Sequence, residues 1–168
     1  IETCDMAAGA YFPWYALDQN VYDECAHEYP EAASLTALGG TPVIINSDGR
    51  IEACGVAPAV IWGVLAADGH NTAAGVNKNI VYRLRAGDQW VIPVLETLAQ
   101  NLLGVAAGNL GVVKDATTAL WYGSTADAGD QCRAVDYVKG TTPPGFSIGD
   151  TKWAGVVVFD DANLGVGQ

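Results

Sequence analysis

The sequence predicts a mainly β protein, a small β-barrel or sandwich with one short helix and an extended N-terminal arm. Composition is the first reason: of 168 residues, half are hydrophobic, 20 are glycine and only 16% are charged, which favours a tightly packed, β-rich fold. The second reason is the pair of Asp-Gly steps between short apolar runs, at Asp48-Gly49 and Asp68-Gly69. Such steps are strong hairpin signals because glycine tolerates the positive φ that tight turns require.

Residues 1–40 are predicted to form an acidic, aromatic N-terminal arm. This segment holds six of the 15 aromatic residues and seven acidic residues, and the first basic residue of the chain is Arg50. We expect its rings to pack either on the chain's own barrel or on a neighbouring subunit, where Trp and Tyr are common anchors. The second interpretation predicts four partner-binding residues: Tyr11, Phe12, Trp14 and Tyr15. Residues 31–38 are a candidate short helix that Gly39-Gly40 would end.

Residues 41–168 are predicted to form one β-barrel-like domain. Short apolar runs separated by turn residues predict strands at 42–45, 50–54, 61–67, 80–84, 110–113, 119–122, 134–138 and 153–159. Because the last run is apolar throughout, we expect both of its faces to be covered. The Thr-Thr-Pro-Pro-Gly segment at 141–145 is typical of a loop.

One helix of about ten residues is predicted after Pro93. Proline suits the first helical position, Glu96 would lie in the first turn, and Gly104 fits the position just past the end. Apolar residues follow at i, i+3, i+4 and i+7, namely Leu95, Leu98, Ala99 and Leu102. This apolar stripe is expected to plug or cap the barrel.

The charge balance excludes two classes of partner. The net charge of −11 argues against nucleic acid, because phosphate binding requires clustered Lys and Arg, and it argues equally against a polybasic membrane anchor. No apolar run reaches the roughly 18 residues that a transmembrane helix requires.

Catalytic motifs are missing from the sequence. Asp68, His70 and Asn71 lie together, but residues this close in a turn usually point apart, and Asp and Asn are themselves turn formers. There is no nucleophile elbow and no phosphate-binding glycine loop. Adjacent acids such as Asp23-Glu24 and Asp160-Asp161 rarely converge on one cation. We therefore predict no catalytic residue, no metal and no cofactor.

Four tryptophans recur at about one per strand unit. They are expected to be core or interface residues, and the alternative is a platform for a sugar: Trp62, Trp90, Trp121 and Trp153.

Four cysteines also lack any metal-ligand spacing. Cys4, Cys25, Cys54 and Cys132 allow two disulfides, but we expect reduced, buried thiols. The chain begins at Ile1, and we expect that a short leader has been removed or omitted before it.

Segments 40–43, 47–51, 61–71 and 81–90 resemble the capsid decoration (cement) proteins of tailed phages. Those proteins have a Gly/Pro-Val strand, a glycine turn, an apolar strand with a Gly-x-Leu/Ala-Ala pattern, and a strand that ends in glycine before an aromatic residue. Residues 108–113, Trp121 and 153–159 lie where the family places later strands. The resemblance extends over about three quarters of the chain, and the aromatic N-terminal segment departs from it.

The resemblance implies a non-enzymatic virion protein that binds the outer surface of an assembled capsid. Its partner would be the major capsid protein, and the chain would form a homo-oligomer, with a trimer favoured. It would lie on the outside of the virion after assembly in the host cytoplasm. The alternatives are a tail or baseplate structural module, a secreted carbohydrate-binding module, and a small hydrolase of unrecognised type.

Overall fold

Two β-sheets dominate the computed structural model, which describes residues 11–104, 109–126, 131–139 and 145–160. The described residues are 44% strand and 7% helix, arranged as a sandwich-like fold without a closed barrel. The predicted mainly β fold with one helix is therefore confirmed. The elements in chain order are β1 (Tyr15–Ala16), α1 (Gln19–Cys25), β2 (Ala26–Pro30), β3 (Pro42–Ile45), β4 (Ile51–Ala53), β5 (Gly63–Leu65), β6 (Lys78–Arg83), β7 (Gln89–Thr97), a 3₁₀ turn (Gln100–Leu102), β8 (Asn109–Lys114), β9 (Trp121–Ser124), β10 (Cys132–Tyr137) and β11 (Thr151–Phe159).

The large sheet has the strand order β1-β7-β11-β10-β8-β9, and the small sheet has the order β2-β6-β5-β3-β4. The large sheet curls, so that β9 reaches β7 through a single parallel bridge between Val94 and Gly123. Among the described residues, no helix is long and apolar enough to cross a membrane.

The main core is filled by large aromatic side chains. Trp90, Trp121 and Trp153 are each at most 1% exposed. In β11, every residue from Trp153 to Phe159 is buried, although neighbouring side chains point to opposite faces of the sheet. This confirms the prediction that both faces of the last strand are covered.

A second, smaller core lies on the opposite face of the small sheet. Residues 31–40, which we call the strap, cross this face and bury Leu35 and Ala37 against Val43, Leu65 and Val81. The small sheet is therefore covered on both sides, by the large sheet and by the strap.

The strap is held by backbone hydrogen bonds to residues 66–77, which we call the long loop. The Ser34 N–H donates to the Thr72 carbonyl at 2.8 Å, and the Asn71 and Gly69 N–H groups donate to the Leu35 and Ala37 carbonyls at 2.9 Å. The strap thus pairs several of its backbone groups without belonging to a regular strand.

The predicted helix after Pro93 is wrong. Residues 89–97 form the central strand β7, which pairs with β11 over most of its length, and only Gln100–Leu102 makes a helical turn. On one side of β7, the pairing with β1 ends at Val91, and the pairing with β9 is made at Val94. Pro93 lies in the gap between these two partner strands. A proline is tolerated at such a gap because no ladder hydrogen bond is lost there.

The helix predicted at 31–38 is also wrong, because those residues form the strap. The one α-helix in the described part of the chain is α1, within the segment predicted as an arm. Asp18 caps it by accepting a hydrogen bond from the Asn20 N–H at 2.9 Å, and Val21 and Cys25 form its buried face.

The described part of the predicted arm is integrated into the fold. Residues 11–40 contribute β1 to the large sheet and β2 to the small sheet. Residues 1–10 lie outside the described residues, as do residues 141–144 of the predicted loop.

The two Asp-Gly steps differ in their structural roles. Gly49 has a φ of +73° and closes the tight β3–β4 turn, as predicted. Gly69 instead lies in the long loop between β5 and β6, where an added Cβ would collide with the Leu35 carbonyl oxygen. Its requirement for glycine comes from close approach of the strap rather than from a left-handed backbone.

Gly63 provides a test of how closely β5 and β6 pack. A Cβ at this position would lie 2.5 Å from both the Tyr82 carbonyl oxygen and Val81 Cγ1. We expect Gly63→Ala to lower the free energy of unfolding by about 1–3 kcal/mol in urea titrations, the usual cost of overpacking. Gly55→Ala is the matched control, since nothing lies within 4 Å of its Cβ position. Equal stability of the two variants would contradict the packing described for this strand pair.

Candidate functional site

A buried carboxylate is the most unusual polar feature of the described structure. Glu31 directly follows β2 and is 1% exposed. Its Oε2 accepts the His70 backbone N–H at 3.1 Å, and its Oε1 lies 2.9 Å from His70 Nδ1. The Asn79 side-chain amide donates to the same Oε1 at 3.1 Å. The carboxylate therefore joins the strap, the long loop and β6.

Asn79 extends this network to the backbone of the long loop. It is 7% exposed, and its amide nitrogen also donates to the Ala67 carbonyl at 2.9 Å. Its Oδ1 accepts the Ile80 N–H at 2.9 Å. Because the amide donates and accepts at the same time, its orientation is fixed by the chemistry of its partners.

The hydrogen bonds outweigh the cost of burying Glu31. Desolvation alone would raise the pKa of this carboxyl, but the His70 ring, the His70 backbone N–H and the Asn79 amide together lower it below its ordinary value. The carboxylate is thus charged in the folded protein near neutral pH. His70 then has its Nδ1 hydrogen directed at Glu31, and half of its ring is exposed.

A carboxylate that orients a histidine is also found in general-base catalysis, where the histidine takes a proton from a side chain, a water molecule or the substrate. Within the described residues, the His70 side chain has no hydrogen-bonding partner other than Glu31. The same part of the chain holds no group of three or more His, Cys, Asp or Glu residues that could bind a metal ion. The contacts that the pair does make join the strap to the long loop.

The sequence-based prediction for residues 68–71 was incomplete. Asn71 does adopt a left-handed backbone with φ of +52°, and the Asp68 carboxylate accepts the Gly39 N–H at 2.7 Å. The interaction between His70 and Glu31 was missed, because the two residues are 39 positions apart and no spacing rule connects them.

Two of the four predicted partner-binding residues are core residues. Phe12 is 3% and Trp14 4% exposed, and Trp14 Nε1 donates to the Trp121 carbonyl at 3.0 Å. Tyr11 is half-buried and stacks on Tyr122, with ring centroids 5.1 Å apart. Tyr15 is half-buried within β1. Phe12 and Trp14 thus stabilise the chain's own fold, and only the two tyrosines retain exposed surface.

The tryptophans do not form an exposed platform in the described structure. Three are buried, and Trp62 is half-buried between Tyr29 and Arg83, whose guanidinium lies 5.0 Å from the ring centroid. The feature on which a carbohydrate-binding module depends is therefore not found among these four residues.

The described cysteines are buried, free thiols, as predicted. They are Cys25, Cys54 and Cys132, and Cys4 lies outside the described residues. Burial raises the pKa of Cys54 to about 12 and raises that of Cys132 as well. Since the thiolate is the reactive form, these cysteines act as small hydrophobic residues.

Comparison of the chain with protein-family models, with curated proteins and with solved structures found no match.

The Glu31 network predicts a large effect from a small substitution. Glu31→Gln replaces one acceptor oxygen with a donor, so one of the surrounding donors loses its acceptor inside the protein. We expect the free energy of unfolding to fall by about 1–3 kcal/mol in urea titrations at neutral pH. Glu28→Gln is the matched control, because Glu28 lies on β2 but forms only an exposed pair with Lys78, and its loss should cost less than about 0.5 kcal/mol.

The difference in unfolding free energy between the wild type and Glu31→Gln should depend on pH. The folded-state pKa of Glu31 lies below the ordinary value of 4.5, so the stabilisation by its charge is present above that pH. It is lost as the pH falls through the folded-state pKa. The stability difference between the wild type and Glu31→Gln should therefore shrink as the pH falls below 4.5, and a difference that grew below that pH would contradict the assignment.

Proposed function

We propose that the chain is a structural virion protein that binds the outer surface of an assembled phage capsid and stabilises it. The proposal is supported by the sequence resemblance, by the sandwich-like fold and by one observation on charge. Seven of the eight basic residues are engaged by acids or aromatic rings of the chain itself. They are Arg50, Lys78, Arg83, Arg85, Lys114, Lys139 and Lys152.

This engagement of the cations leaves a surface with an acidic excess. The chain carries 19 acidic residues against 8 basic ones, and Asp18 and Glu52 are exposed without a basic partner in the described structure. Such a surface favours a partner with a basic face, and it accelerates association with that partner at low salt. The major capsid protein is the proposed partner.

The proposed mechanism requires no chemical step. A protein that binds the assembled lattice but not the free subunits stabilises the lattice by mass action, in proportion to RT ln(1 + [L]/Kd). A rigid domain suits this role because little conformational entropy is lost on binding. The chain would act as a homo-oligomer, with a trimer favoured, on the outside of particles that assemble in the host cytoplasm.

Co-sedimentation tests this proposal. The purified chain is mixed with expanded capsids that lack it. These capsids come from the phage that encodes the chain. We expect saturable binding with a fixed copy number per particle, and a higher temperature of capsid disruption. Raising the salt from about 50 mM to about 500 mM should weaken binding, because screening reduces the attraction between exposed charges. No binding at either salt concentration would refute the proposal, and salt-independent binding would refute its electrostatic basis.

A further inference from the structure

A cleft of about 410 Å³ opens between the two sheets beside α1. Tyr22 and Tyr82 are half-buried in its wall and meet edge to face, with ring centroids 4.8 Å apart. Trp14 and Trp90 line the same cleft and are both buried. The cleft therefore presents aromatic surface, and its volume can hold a side chain of a partner.

The end of the strap and the beginning of the long loop also line the cleft. Gly39, Gly40, Ala66 and Ala67 provide small side chains or none, which keeps the cleft open. Among the described residues that line the cleft, Asp68 is the only ionisable carboxylate. Its Oδ1 is used by the Gly39 N–H, while no described donor reaches Oδ2.

The charge at this cleft is uncompensated. No Lys or Arg is among its lining residues, and seven of the eight basic residues of the chain are engaged elsewhere. Aromatic faces beside a carboxylate favour a cation, because the ring quadrupole and the carboxylate both attract positive charge. Lys and Arg also carry an apolar stem that can lie along rings while the charged head stays near water.

We propose that this cleft accepts a lysine or arginine side chain from a basic segment of a partner protein. The stem lies along Tyr22 and Tyr82, and the charged head pairs with the Asp68 carboxylate. This inference deepens the proposed function and rests on it for the nature of the partner. The preference of the cleft for a basic side chain can nevertheless be measured with the isolated protein.

The first experiment is an NMR titration of the full-length protein with three capped peptides. The probes are acetyl-Gly-Lys-Gly-amide, its arginine counterpart and a norleucine counterpart that keeps the stem but lacks the charge. Trp90 lines the cleft, and its Nε1 has no hydrogen-bonding partner among the described residues, so its indole resonance reports on changes in the cleft. We expect saturable shifts of the Trp90 signal, with the basic peptides binding at least about fivefold more tightly than the norleucine peptide.

Asp68→Asn tests the role of the carboxylate while keeping an oxygen for the Gly39 N–H. We expect it to weaken lysine-peptide binding about two- to fivefold, the range of an exposed ion pair. Asp23→Asn is the matched control, because it removes the same charge from an exposed position of α1 that does not line the cleft. Unchanged thermal unfolding would show that both variants are folded. Equal binding of the norleucine and lysine peptides, or equal weakening by both variants, would overturn the proposal.

The same two variants separate this inference from the proposed function in capsid co-sedimentation. Capsid binding that Asp68→Asn weakens and Asp23→Asn does not would support both proposals. Capsid binding together with no peptide preference would overturn the cleft and leave the decoration role. A clear peptide preference without capsid binding would support the cleft and refute the decoration role.

Discussion

The buried carboxylate of Glu31 is the interaction on which the covering of the small sheet depends. An isolated charge at 1% exposure would be strongly unfavourable, and it is tolerated because three donors from two other segments surround it. Those donors belong to His70 and Asn79, so the charge is satisfied only when the strap, the long loop and β6 are assembled together. The dependence is mutual. If the strap separated, His70 would lose its acceptor and Asn79 would lose one of its acceptors.

This constraint also shapes the proposed docking cleft. One wall of the cleft is made by the end of the strap at Gly39 and Gly40, and the cleft's carboxylate, Asp68, lies in the long loop. The Asp68 carboxylate binds the Gly39 N–H, while the adjacent Gly69 N–H binds the Ala37 carbonyl. The interactions that close the second core thus place the groups that would meet a partner. Burial at Glu31 and the proposed recognition at Asp68 depend on the same pair of segments.

Sequence patterns predicted most of the strands but missed β1, β2 and β7, and they predicted none of the polar network. The last strand, β11, could be predicted because an uninterrupted apolar run indicates burial on both faces. The central strand β7 was mistaken for a helix because Pro93, Glu96 and a leucine repeat imitate helix signals, while its pairing with three other strands is not encoded locally. Glu31 and His70 lie 39 residues apart, and only the folded topology brings them together.

Hydrogen exchange measured residue by residue tests the central role of Glu31 most directly. The Gly69 and Asn71 amides donate hydrogen bonds to carbonyls of the strap. By contrast, the amide of Val112, which lies on β8 of the large sheet, donates to the side chain of Gln131. If the carboxylate holds the strap in place, Glu31→Gln will accelerate exchange at Gly69 and Asn71 and leave the Val112 amide protected, because local opening precedes global unfolding. Unchanged exchange at all three amides, or an equal acceleration at all three, would contradict this account.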